Sequence, residues 1–440
     1  MDAVTEISQQ AADEGTDRFI PLRKEDLLAA LVKQGGFADT EECELFRRLA
    51  RTLRSICHYE YSETLDRLRD DYYYFSPEVA ALATTDRAKS DPATADRAYA
   101  DLVQSLDKVL KDANFKELPH ADVTDAHRNR AALRVEVKAQ HDDFREVRFY
   151  RRGHHVEQFE VAEWFGLRRR KVETNVFDDV VLLVAMKTQA EIGSRRELRV
   201  LKRRKVVPGS VLLKYFRNIA CGDLYALFPN ARVVMSTFDK AFLSVPAIAG
   251  GIPILLKLYA TISVLFVVIG FYLGTSKSVA DKDMTTALAA LTGLVALGGF
   301  AMRQWLKYQH RSLKYHMELT ENIYYRNINN NAGIFDYVIG TAEDQECKEA
   351  LLAYHFIRTA PSPPTAAELA GQIEAWLSKS FGVNLDFEIA NSLATLERFG
   401  LLRREEERLF VSPLDGAIAQ LHRVWDNFFA DEQRVEYQPP

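Results

Sequence analysis

The sequence predicts an α+β membrane protein, mainly helical, with a transmembrane helical hairpin, a small juxtamembrane α+β domain and a C-terminal winged-helix-like module. Three observations predict it. Leu258 to Ser276 and Met284 to Met302 are each free of charge for 19 residues, and as helices they would be roughly 28 Å long, close to the hydrocarbon thickness of a bilayer. The stretch from Phe144 to Met235 carries short runs of β-type alternation rich in basic residues. Thr365 to Phe429 reads helix, turn, helix, charged hairpin, helix, the order of a winged helix. The expected domains are a helical N-terminal domain over 1–143, a basic juxtamembrane α+β domain over 144–242, the hairpin over 243–306 with spans at about 252–276 and 284–306, a helical connector over 307–360 and the winged-helix-like module over 361–440.

In the N-terminal part, Leu45, Phe46, Leu49, Leu53 and Ile56 fall at helical spacing within Glu42 to Cys57, and a second helix, Glu63 to Tyr74, ends in the aromatic cluster Tyr72 to Phe75 before Ser76-Pro77. Two further helices are expected at Ala98 to Asp112 and Ala121 to Gln140, after a polar loop at Thr84 to Thr94. His120, His127 and His141 match no metal-ligand spacing. Cys43, Cys57, Cys221 and Cys347 are scattered without a CxxC, which fits reduced thiols.

The juxtamembrane domain is read from the alternation in Arg145 to Arg151, a turn at Arg152-Gly153-His154, strands at Phe177 to Met186, Ser210 to Arg217 and Ala231 to Met235, and a short helix at Asp223 to Phe228. His154 and His155, adjacent on a strand, would point to opposite faces. Charge is the informative property here: residues 144–205 hold 16 Lys or Arg against nine Asp or Glu, a net of +7 in a chain whose total is −5. The dense clusters are Arg168, Arg169, Arg170 and Lys171, and then Arg195, Arg196, Arg199, Lys202, Arg203, Arg204 and Lys205. A polybasic patch beside a cytoplasmic leaflet attracts anionic headgroups by about 1 kcal/mol per basic side chain, so these residues are the lipid-headgroup candidates. The competing reading is a solvated face that sets topology.

Within the spans, Gly270 with Gly274 and Ala289 with Gly293 stand at small-xxx-small spacing, which suits packing of the two helices or, secondarily, a homo-oligomer seam. Arg303, Lys307, Arg311 and Lys314 follow the second span, placing both termini on the cytoplasmic side by the positive-inside rule. The acidic N-terminus lacks an apolar core and carries no secretory or Arg-rich transit signal, which favours a bacterial inner membrane. Beyond the hairpin, Arg303 to Asn329 and Ala342 to Arg358 read as helices, and Pro361, Pro363 and Pro364 mark a boundary.

In the C-terminal module, Thr365 and Glu368 form a capping box for a helix that Gly382 stops after Phe381. The would-be recognition helix, Asp386 to Phe399, carries Asp386, Glu388 and Glu397 with only Arg398, and the wing balances Arg403, Arg404 and Arg408 with Glu405, Glu406 and Glu407. Such a surface repels phosphate, so a protein partner is expected there and nucleic acid is not.

Chemistry is sparse. The chain has no P-loop, GxGxxG, GxSxG, HExxH or EF-hand signature. The acidic pairs Asp178-Asp179 and Glu343-Asp344 are read as turn or helix-start residues, and no catalytic residue, metal ligand or cofactor is assigned.

The run Leu213 to Ile219, Asp223-Leu224, the run Leu227 to Val233 containing PNARV, Asp239-Lys240 and, beyond the hairpin, Glu343 to Ala350 resemble an uncharacterised two-span membrane-protein family. That family shares a domain of unknown function and includes an animal mitochondria-associated transmembrane protein. The resemblance covers roughly Arg145 to Leu402 and implies no activity. The expected function is a scaffold or regulator that engages anionic lipid and a protein partner; the alternative is a membrane-bound enzyme acting on a lipid or phosphate compound.

Overall fold

A computed structural model describes residues 17–81, 92–119, 136–138, 143–163, 168–188, 191–193, 207–234 and 324–430, with scattered residues from 273 to 317. The helices with stated bounds are α1 (Lys24–Gln34), α2 (Thr40–Tyr73), α3 (Pro77–Ala81), α4 (Pro92–Asp112), α5 (Gly333–Thr359), α6 (Ala366–Phe381), α7 (Ile389–Arg398) and α8 (Leu414–Ala430). The strands are β1 (Lys116–Leu118), β2 (Glu136–Lys138), β3 (Phe144–Glu163), β4 (Arg168–Met186), β5 (Val211–Ala220), β6 (Arg232–Val234), β7 (Asn327–Asn330), β8 (Leu402–Glu405) and β9 (Arg408–Val411). The chain divides into two units. Unit 1 comprises Met1–Asn129, His141–Gly222 and Arg326–Pro440; unit 2 comprises Arg130–Gln140 and Asp223–Tyr325.

Unit 1 holds a five-stranded antiparallel sheet in the order β1-β3-β4-β5-β7. Its centre is β4, where every residue from Val180 to Met186 is buried. A strand covered on both faces needs a continuous apolar run rather than alternation, and FDDVVLLVAM supplies one. The expected turn at Gly153 is instead an irregular position inside β3: Gly153 has φ +67°, and a Cβ there would stand 2.2 Å from Asp178 Oδ2. The sequence signal for positive φ is real, but the chain continues in the same direction.

The long helices bind the sheet to the C-terminal module. α2 is one helix of 34 residues, about 50 Å long, where two were expected. Asp39 caps it by accepting from the Glu42 amide at 2.8 Å while Glu42 accepts from the Ala38 amide at 2.6 Å. α5 is buried without interruption from Cys347 to Ile357, the mark of a helix enclosed by its own protein. The last turns of α2 and the start of α5 join α4 and the sheet in one apolar core, through Leu68, Tyr72, Leu106, Val181 and Phe335. The first half of α2 and the end of α5 join α1 and the C-terminal module in another, through Phe46, Leu53, Leu352, Leu396 and Leu421.

In that module, α6 shows both halves of the Thr365/Glu368 capping box and ends on Gly382 in the left-handed region. β8 and β9 form the wing, and α8 returns across α2, with Tyr59 against Phe428 and Trp425 at ring distances of 4.9 and 5.9 Å. α7 is shorter than expected, beginning at Ile389, because Leu385 and Phe387 enter the core from the extended segment before it.

His355 on α5 is fully buried among the rings of Phe46, Phe37 and Phe356, and neither ring nitrogen has a hydrogen-bond partner. Burial, helped by Arg358, pulls its pKa down to about 4. Because the folded state then binds fewer protons than the unfolded one, His355 withdraws stability as the pH falls from 6.5 toward 4. His355→Phe is expected to raise stability by about 1 kcal/mol at neutral pH and by more at pH 5, read as the urea midpoint at both values.

In unit 2, β2 pairs antiparallel with β6, Glu136 opposite Val234. The expected helix from Ala121 to Gln140 is therefore a strand at 136–138, and the rest of it lies outside the described residues. The two-span reading is overturned: among the described residues, no helix is long and apolar enough to cross a membrane. The helical residues at 298–303, 305–307 and 309–310 carry Arg303, Lys307 and His310, so the apolar run does not extend as an apolar helix. Leu288, Val295, Met302 and Trp305 are exposed. Most of Leu258 to Ser276 and Met284 to Met302, with Gly270, Gly274, Ala289 and Gly293, lies outside the described residues. The described fold is accordingly α+β, with no transmembrane hairpin among the described residues, and the assignment of both termini to the cytoplasmic face of a bacterial inner membrane falls with it.

Candidate functional site

The segment before α1, residues 17–23, is extended and has no helix or strand of its own to satisfy its backbone. One turn of α5 does that work. Gln345 accepts from the Ile20 amide at 3.1 Å and donates to the Ile20 carbonyl at 3.2 Å. Lys348 donates to the carbonyls of Ile20 and Leu22 at 2.8 and 3.0 Å, and its ammonium pairs with Asp344, one turn earlier, at 2.6 Å. Residues 17–22 are thus a strap, and its ends reach further. The Asp17 carbonyl accepts from the Asp386 amide, and Arg18 pairs with Asp386 and Glu388 ahead of α7.

Where the strap turns into α1, a cleft of about 980 Å3 opens against α2, α5 and α8. Its floor is polar. Lys24 lies 3.3 Å from Glu343 and 3.4 Å from Asp344, and His58 Nδ1 is 2.9 Å from Glu343 Oε2. Its walls are aromatic, from Phe19, Tyr59 and Trp425. Burial lowers the Lys348 ammonium pKa, with Asp344 opposing. Burial also acts to lower Lys24, but the groups around it, Asp344 and Glu343 among them, hold its pKa above the ordinary value. A carboxylate on Nδ1 fixes the orientation of an imidazole and leaves Nε2 for a bound molecule, the arrangement of an oriented base. Arg23 adds an exposed cation at the rim.

The two acidic pairs singled out in the sequence have different fates. Glu343 and Asp344 sit in the third turn of α5, inside the cleft, and not at a helix start. Asp178 and Asp179 sit in the middle of β4, where strand alternation sends them to opposite faces. Asp179 is buried with Arg152, 3.0 Å from its Nε, while half-buried Asp178 meets His155 at 2.6 Å. His154 pairs with Asp17 of the strap at 2.9 Å. His120, His127 and His141 lie outside the described residues, and among those described no group of three or more His, Cys, Asp or Glu could hold a metal ion.

Of the basic clusters, Arg168 to Lys171 stand on β4 in register with Glu163 to Glu160 of β3. Arg195 to Lys205 lie outside the described residues. Sequence reasoning missed Lys24, His58 and Lys348. The available signal was Gln345, Lys348 and Glu349 in a helix otherwise rich in apolar residues, since polar side chains buried in a core helix must find partners.

No solved structure matches the chain. The cleft residues named above lie outside the segment with a family match, which carries the second half of β4 with β5 and β7 and the insertion between them. Residues 177–333 match a family described as a protein of unknown function, DUF3754.

Proposed function

We propose that the protein is a non-catalytic regulator that binds a small anionic or zwitterionic molecule in the strap cleft and relays its occupancy to the C-terminal module, which contacts a protein partner. One observation carries the reading: Lys24, His58, Glu343 and Trp425, from four separate elements, converge on one cleft of a volume typical of small-molecule sites. Trp425 belongs to α8, so a molecule seated beside it touches the module directly. Paired cations and carboxylates suit a ligand that offers both charges or that displaces one carboxylate from Lys24. A partner other than nucleic acid is supported by α7, whose Arg398 is engaged with Glu60 and Glu346 and whose Glu397 is engaged with Arg404.

The His58–Glu343 pair favours a second reading, an enzyme that uses His58 as a base on a phosphate compound. Thermal unfolding with inorganic phosphate, glycerol 3-phosphate and glutamate distinguishes them. A ligand at 100 times its Kd adds about 2.7 kcal/mol, and the regulator reading expects that stabilisation without turnover of the phosphoester, abolished in Lys24→Ala with His58→Ala. Release of phosphate from glycerol 3-phosphate that needs His58 supports the enzyme. No stabilisation by any of the three, across millimolar concentrations, rejects the ligand class.

A further inference from the structure

A second cavity, about 410 Å3, lies between α2, α4, α5 and α7, and four carboxylates reach it: Glu60, Asp112, Glu346 and Glu349. They are unequally served. Glu346 accepts from Tyr61 Oη at 2.7 Å and Thr395 Oγ1 at 2.8 Å, and it shares Arg398 with Glu60, which lies 3.0 Å from that guanidinium. Glu349, 3 % exposed, has among the described residues only the Asn114 amide at 3.0 Å. Among the described residues neither Glu349 nor Asp112 has an ion-pair partner; Lys348 is committed to the strap and Asp344, and Lys108 acts on Asp112 from longer range.

We propose that this junction is a proton-gated latch, in which a proton on Glu349 and another on Asp112 let α4 and α7 close on α5, and loss of those protons drives the three helices apart. The geometry requires it. Two more negative charges would join Glu60 and Glu346 in a site where one guanidinium already serves both, and like charges in a poorly hydrated site repel strongly. Titratable groups reach the surroundings of Glu349 from every helix packed on the cavity. α2 contributes Glu60, Tyr61 and Arg67; α4 contributes Lys108 and Asp112; α5 contributes Glu346 and Lys348; and α7 contributes Arg398. Of these cations, Arg398 is spent on Glu60 and Glu346 and Lys348 on the strap, and among the described residues neither Arg67 nor Lys108 forms an ion pair with Glu349 or Asp112.

Burial and charge act in the same direction. Burial first, then Glu346, pushes Asp112 up to about 6. Burial pushes Glu349 up to about 8, against the opposing pull of Asn114. The folded state therefore holds more protons than the unfolded one. The stability from these protons is complete below the unfolded carboxylate pKa values and is lost as the pH rises through about 6 and then about 8.

The test uses the full chain. Between pH 5 and 9 the unfolding midpoint should fall, and amide exchange in α4 and α7 should accelerate beyond the intrinsic effect of pH while α1 does not. Glu349→Gln, which keeps the acceptor for Asn114, should remove the upper part of that fall, and Asp112→Asn the lower part. A Glu349→Gln protein with the wild-type pH slope, or an exchange increase spread evenly over all helices, would overturn the latch. Should Glu349→Gln not fold, infrared spectra of the wild type decide. A protonated-carboxyl band that vanishes through pH 8 supports the proposal, and its absence at pH 7 rejects it.

Discussion

Asp179→Ala is expected to lower stability by about 3–5 kcal/mol, the cost of stranding a buried charge. Arg152 and Asp179 are 3 % and 7 % exposed, and the guanidinium meets the carboxylate through Nε at 3.0 Å and Nη2 at 2.5 Å. Its faces are closed by the rings of Phe19 at 4.2 Å and Phe115 at 4.6 Å, and it also donates to the Ala113 carbonyl at 3.3 Å. Without Asp179, Arg152 keeps its charge in an apolar sandwich, and Tyr215 and Arg217 also lose their common acceptor. Asp179→Asn retains a hydrogen-bond acceptor and should cost roughly half as much. A urea series with an unchanged m value measures both. A loss below 1 kcal/mol for Asp179→Ala would mean that water reaches Arg152, against its burial.

The second large effect is expected at Lys348. Lys348→Met keeps the length and apolar stem of the side chain but removes the donor to the Ile20 and Leu22 carbonyls. Unmade hydrogen bonds at buried groups cost about 1–3 kcal/mol each, and relief of the buried ammonium offsets part of this, leaving an expected loss of about 2–4 kcal/mol. The location of the damage separates this from a general weakening. Cleavage by a protease should move to residues 17–23 while the core stays resistant, because Gln345 alone then holds Ile20. An intact strap in a destabilised variant would show that Lys348 acts through Asp344 instead.

Local signals in the sequence were legible where local physics decides the structure. The Thr365/Glu368 box and Gly382 bound α6 because capping involves residues three or four apart. β4 was legible because a strand buried on both faces needs an uninterrupted apolar run. α2 was read as two helices because Tyr59 to Ser62 breaks the aliphatic period, yet Tyr59 packs on α8 and Tyr61 bonds Glu346, partners that no window around them contains. β7 is polar, NINN, and reads as the end of a helix; it is a strand because β5 pairs with it, Lys214 opposite Asn330. The apolar stretches between them were read as spans because composition reports that a segment avoids water and not what covers it. The cleft was illegible for a different reason. Lys24, His58, Glu343 and Trp425 are spread over most of the chain, and only the packing of α1, α2, α5 and α8 makes them neighbours.

The strap carries a consequence for the order of events on the ribosome. Residues 17–22 are synthesised early, but apart from Asn114, which donates to the Arg18 carbonyl, the groups that satisfy their backbone are made late: Gln345 and Lys348, then Asp386. Contacts this distant in sequence cannot form until both partners have left the exit tunnel. The strap must therefore wait as an undocked thread while the sheet and the long helices assemble, and its docking is among the last steps of folding. A nascent chain stalled before residue 345 would leave the Ile20 and Leu22 carbonyls without the donors that hold them in the folded protein.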